Sequence, residues 1–145
     1  NYFKLPPPKS TGREYFHLSW LENQLNQVNQ VNSQDVQATL TAFTAITIVN
    51  AINQHISVKE KLVKVYLCGG GVHNKSLKIL INQQLKIGSA NYELLLTNQK
   101  DIDSDQVEAI AFAWLAFAYD KKFLSSMSTV TGASKNCTLG NEYLP

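Results

Sequence analysis

Three consecutive glycines, Gly69-Gly70-Gly71, follow directly on an alternating apolar run, Val63-Lys64-Val65-Tyr66-Leu67-Cys68. A helical pattern starts within a few residues, with Asn74 placed to cap it. Glycine accepts positive φ and lets backbone or a ligand come close where a Cβ would collide. The helix start adds N–H groups that have no intrahelical carbonyl, and these suit an anion. From the residues alone the turn has two readings, a nucleotide site or a tight strand–helix packing turn. It matches neither common phosphate loop. A Walker A sequence needs glycine immediately before Lys-Ser, and Asn74 stands before Lys75-Ser76. A dinucleotide fingerprint needs a third glycine where position 74 is again Asn.

The neighbouring segments make this turn part of a βαβ unit. Val63, Val65 and Leu67 alternate with Lys64, Tyr66 and Cys68, and the second set is not truly polar, as in an interior strand covered on both faces. Leu77, Ile79, Leu80, Ile81 and Leu85 predict a helix ending near Gly88, a suitable C′ glycine. Tyr92–Thr97 predicts a second strand, parallel to the first. The expected fold is therefore α/β, a small, largely parallel sheet flanked by helices.

Upstream, Asn1–Trp20 reads as an extended arm, because Pro6-Pro7-Pro8 favours polyproline II and excludes helix. Its Tyr15, Phe16, Leu18 and Trp20 are apolar anchors, while Lys9 or Arg13 could meet an anion. Residues 21–145 form the expected α/β body. Leu21–Val31 is a weak, Asn/Gln-rich helix, and Asp35–His55, capped by Asn32 or Ser33, is a core helix. Downstream, Asp103 with Gln106 forms a D-x-x-Q capping box for a helix over Asp105–Phe123. From Val107 to Tyr119 its only charge is Glu108, which predicts a helix buried nearly all round. Ser125–Pro145 carries turn signals and could tuck a last strand or loop against the body.

The 145 residues suffice for one domain with a real core. A net charge of +2 with no Lys/Arg run argues against nucleic acid or an anionic membrane as partner. No window reads as the ~20 apolar residues that span a bilayer. Cys68 is expected to be buried and reduced, and with Cys137 it makes neither a disulfide scaffold nor a zinc site, which suits the cytoplasm. The chain opens on Asn1, its one Met is Met127, and it begins in an apolar, proline-rich run, so a piece of a longer protein is expected.

Glu108 is the outlying carboxylate. It is either a first-turn acid satisfied by the helix dipole or a carboxylate on a cleft wall that binds a ligand hydroxyl. Asp101, Asp103 and Asp105 match no EF-hand spacing and read as solvated loop acids. His17, His55 and His73 lie on three elements with no metal spacing, and only His73, beside the glycines, is a site candidate.

Four blocks, KSTGREYF, CGGGVHN, VEAIAFAWLA and VTGAS, occur in this order, and with them the chain resembles the C-terminal part of the anhydro-N-acetylmuramic acid kinases. The resemblance spans nearly all the residues and implies one lobe of a two-lobed, actin-like ATPase fold of the sugar-kinase/actin/heat-shock-ATPase superfamily. It implies a bacterial cytoplasmic enzyme that uses ATP and Mg²⁺ to open the anhydro ring of its amino sugar with water while phosphorylating the 6-oxygen, in cell-wall recycling. Gly69, Gly70, Gly71 and Asn74 would then lie at the adenosine, and Glu108 would face the sugar. The family's GTSxDGxD phosphate segment and catalytic Asp have no counterpart in these residues. The piece alone is therefore expected to be inactive and to need the missing N-terminal lobe. A homodimer is compatible with this reading, as is the rival one, a standalone nucleotide- or partner-binding module without catalysis. Lys75 departs from the family pattern, which often has proline after the Asn.

Overall fold

A computed structural model describes residues 2–6, 8–56, 62–87 and 90–143. Helix α1 runs Leu18–Leu25 and α2 Ser33–His55, followed by strand β1 (Val63–Leu67). A 3-10 turn (Gly70–His73) leads into α3 (Lys75–Leu85), then β2 (Tyr92–Leu96) and a second 3-10 turn (Thr97–Lys100). Helix α4 (Val107–Asp120) and the single turn α5 (Ser128–Thr131) complete the regular structure after β2. The chain divides into two compact units, Asn32–Glu108 and Asn1–Val31 with Ala109–Pro145.

In the unit Asn32–Glu108, β1 and β2 pair in parallel, with Val63 opposite Tyr92, Val65 opposite Leu94 and Leu67 opposite Leu96. These residues share one face by the two-residue period of a strand. Ala45 and Val49 of α2 and Ile81 and Leu85 of α3 are the buried core, and Val65, Leu67, Tyr92 and Leu94 pack against it. The expected βαβ unit and its α/β class are thus present. Asn32 starts α2 as anticipated, its Oδ1 accepting from the Asp35 N–H at 2.8 Å. Within α2, Thr41 and Thr44 donate their hydroxyls to the carbonyls of Gln37 and Leu40 at 2.8 Å, so an apolar helix carries threonine without unpaired hydroxyls there. The Tyr92 hydroxyl donates to Asn53 Oδ1, tying β2 to the far end of α2.

The second face of the sheet corrects the expectation of a strand covered on both sides. Lys64 and Glu93 sit opposite each other in register and form a half-exposed ion pair at 3.8 Å. Cys68 is exposed rather than buried, because it lies one residue past the end of β1, beyond the layer of packed helices. By length and composition α2 could cross a membrane, contrary to the sequence reading. Here its Ala45 and Val49 are core positions against α3. The C′ role assigned to Gly88 lies outside the described residues.

In the other unit the arm is less extended than expected. Tyr2–Lys4 forms a 3-10 turn and α1 begins at Leu18, where His17 Nδ1 accepts from the Trp20 N–H at 3.3 Å. The helix ends at Leu25, well before Val31, since the Asn/Gln-rich continuation has little to hold it. Tyr2, Phe3, Tyr15, Phe16 and Trp20 pack ring against ring, but none is buried, and Tyr15 and Leu18 of the expected anchors are exposed, because the rings cover mainly one another. Lys9 Nζ donates to the carbonyls of Leu5 at 2.8 Å and Phe3 at 3.3 Å. The Ser10 hydroxyl donates to the Thr131 carbonyl at 3.1 Å, which brings the KST and VTG blocks together. The tail forms a loop rather than a strand among the described residues, held where Ser125 and Ser126 N–H groups both donate to the Cys137 carbonyl.

Helix α4 differs most from expectation. It starts at Val107, because Asp103 accepts from the Asp105 N–H at 3.0 Å in an Asx turn instead of forming a capping box with Gln106. Only Ala118 is buried, and Ile110, Phe112, Trp114 and Phe117 are all at least half exposed. A helix that is apolar all round can be buried all round only if elements cover every side, and the described residues cover one.

Candidate functional site at the carboxyl edge of the sheet

Parallel strands end at one edge, so the loops that follow β1 and β2 meet there. In open α/β sheets, ligands bind in the crevice outside these carboxyl ends. Gly69 leaves β1 with φ 75° and ψ 176°, a region reserved almost entirely for glycine. Its N–H donates to the Ser104 carbonyl at 2.7 Å, and Ser104 is 5% exposed. A Cβ on Gly69 would stand 3.3 Å from Glu108 Oε1. Gly69 is therefore glycine for reasons within the chain: its backbone angle and the carboxylate beside it.

Gly70 and Gly71 differ. Neither has positive φ. A Cβ on Gly70 would meet nothing within 4 Å, and one on Gly71 would make an ordinary contact with Leu77 at 3.9 Å. Both open the 3-10 turn, where the first N–H groups have no preceding carbonyl within the helix. Val72 is buried and anchors the turn from below, its N–H donating to the Gly69 carbonyl at 3.1 Å.

Asn74 caps α3 as the sequence predicts, its Oδ1 accepting from the Leu77 N–H at 3.0 Å. That side-chain oxygen is committed to the helix. His73 Nε2 lies 2.7 Å from Asp105 Oδ1, so Asp105 is not the isolated solvated acid that its loop position suggests. Glu108 is exposed in the first turn of α4, where the dipole favours it, and it also lines the glycine turn. The first-turn reading of Glu108 fits this geometry.

Three further features had no signal in the sequence. Ser104 contributes only a backbone carbonyl. Thr97, at the carboxyl end of β2, has a buried hydroxyl oxygen without a hydrogen-bond partner. An open groove of about 590 Å³ between α2 and α3 is lined by Ser33, Gln37, Thr41, Ser76 and Leu80, with Ser76 in the first turn of α3. Among the described residues no group of three or more His, Cys, Asp or Glu side chains converges as a metal site.

The fold and this edge define an α/β unit built on a glycine-rich strand–turn–helix. The sequence matches the family model for anhydro-N-acetylmuramic acid kinase over residues 1–145, and the chain belongs to that family. It is 44% identical over 151 aligned positions to an anhydro-N-acetylmuramic acid kinase of Colwellia psychrerythraea, covering 100% of this chain and 38% of that relative. Relatives of the same name from Photobacterium profundum and Nitrosomonas europaea are 42% and 43% identical, each over 98% of this chain and 38% and 37% of their own lengths. The chain thus spans under two fifths of the length of these relatives.

Proposed function

We propose that the chain is the C-terminal, nucleotide-side lobe of an ATP-dependent bacterial kinase, cytoplasmic, that hydrolytically opens and phosphorylates anhydro-N-acetylmuramic acid in peptidoglycan recycling. The observation that carries this is the open space at Gly70 and Gly71. A packing turn explains a glycine required by its own backbone angle and close neighbours, and within this turn that holds for Gly69 alone. At Gly70 and Gly71 the missing side chains leave room for something else to approach the backbone.

The Glu108 carboxylate beside Gly69 disfavours phosphate at that point and favours a hydroxyl donor, so the turn suits the adenosine end of ATP or a sugar hydroxyl rather than the triphosphate. Bound ATP would supply the transferred phosphoryl group, with Mg²⁺ in its usual role of balancing the phosphate charge. The described residues offer no acidic cluster to hold that ion. In this reading the catalytic base and the phosphate segment belong to the other lobe.

The test is ATP binding. Millimolar ATP should raise the melting temperature of the wild-type chain, since a ligand that favours the native state adds RT ln(1 + [L]/Kd), ~2.7 kcal/mol at a hundredfold excess over Kd. Gly70→Val should keep the melting temperature of the free chain and lose the ATP shift. A variant that shifts as the wild type does would remove Gly70 from the site, and a wild-type chain with no shift would overturn the reading.

A further inference from the structure

The glycine turn is fastened at both ends to the loop between β2 and α4. At its start, the Gly69 N–H donates to the carbonyl of buried Ser104 at 2.7 Å. At its end, His73 Nε2 meets Asp105 Oδ1 at 2.7 Å. The partners, Ser104 and Asp105, are consecutive, and Asp105 is oriented by its own N–H bond to Asp103 Oδ1 at 3.0 Å. Gly70 and Gly71, the two positions with free space above them, lie between the fastened residues. Three residues beyond Asp105, Glu108 reaches back to Gly69.

We infer that His73 and Asp105 are positioning residues, a side-chain clamp that sets the Gly70–Gly71 backbone and the Glu108 carboxylate in fixed register for the ligand. The first tie is backbone to backbone and survives any side-chain change; the second depends wholly on these two side chains. Both are more than half exposed, so the pair adds little to global stability. Its effect falls on the local alignment of a turn that otherwise consists of glycines. The ligand named here, ATP, rests on the function proposed above, whereas the clamp itself does not.

The experiment therefore has two arms on the full-length kinase. In the first, without ligand, amide hydrogen exchange is followed over residues 69–73. His73→Ala and Asp105→Ala should each speed exchange there several-fold, the double variant no further than either single, and His73→Gln, which keeps a donor near the Nε2 position, should restore protection. In the second, the same variants should raise KM for ATP about threefold to fivefold with kcat nearly unchanged, again without additivity. Unchanged exchange at 69–73, or strictly additive effects of the two substitutions, would overturn the clamp. Faster exchange in the variants of a protein that does not use ATP would support the clamp and reject the kinase reading, so the two failures are separable.

Discussion

At the scale of single residues, the three glycines separate into two kinds. Gly69 answers to its own chain, with φ 75° and Glu108 Oε1 3.3 Å from the place of a Cβ. Gly69→Ala is accordingly expected to destabilise the unit by ~1–3 kcal/mol, the range for a side chain forced into such a backbone region, read as a drop in the urea midpoint at constant m. Gly70→Ala meets no such obstacle and should be neutral or slightly stabilising through the unfolded chain, by ~0.4–1 kcal/mol. Equal losses for the two substitutions would show that the turn is wholly a packing device. The sequence made the glycine run legible, along with Asn74 as the cap, because both signals are local. It could not distinguish Gly69 from Gly70, since what separates them is the backbone angle the folded turn takes and Glu108, 39 positions away in the chain. Ser104 and Asp105 stayed hidden for the same reason: a backbone acceptor and a loop acid carry no pattern until the turn is laid against them.

Secondary-structure elements show where periodicity suffices and where it does not. The β1–α3–β2 unit was readable because its strand alternation and helical spacing are strong and its crossover is short. Burial was harder to read. A sequence such as Val107–Tyr119 states that a helix is apolar, not that anything covers it, and Phe112 is 71% exposed. Two substitutions test this contrast in the 145-residue chain. Ile81→Ala, in the core between α2, α3 and the sheet, should cost ~2–5 kcal/mol, whereas Phe112→Ser should change stability by no more than ~0.5 kcal/mol in chemical denaturation. A large loss at Phe112 would mean that this face of α4 is covered in solution.

For the molecule as a whole, family membership is plain, but the chain covers only 38% of the length of its Colwellia relative. On the function proposed above, phosphoryl transfer depends on positioning and charge stabilisation from every side of the reacting group, which a single lobe would not supply. The 145-residue chain should therefore bind ATP yet give no phosphorylated sugar with anhydro-N-acetylmuramic acid, while the full-length protein gives it with ATP consumed in equal amount. Sugar phosphorylation by the short chain alone would show that its catalytic groups lie within these residues.

Local chemistry in the sequence determined the strand–glycine–helix unit, the caps at Asn32 and Asn74, the α/β class and, through four ordered blocks, the family. These follow from interactions between residues a few positions apart, or from composition alone. Tertiary structure decided what depends on distant partners. It placed Glu108 against Gly69 and Asp105 against His73, left Gly70 and Gly71 open, and exposed Cys68, the second sheet face and most of α4. Each is a question of which surface meets which, and a one-dimensional pattern gives the chemistry of a surface without naming its neighbour.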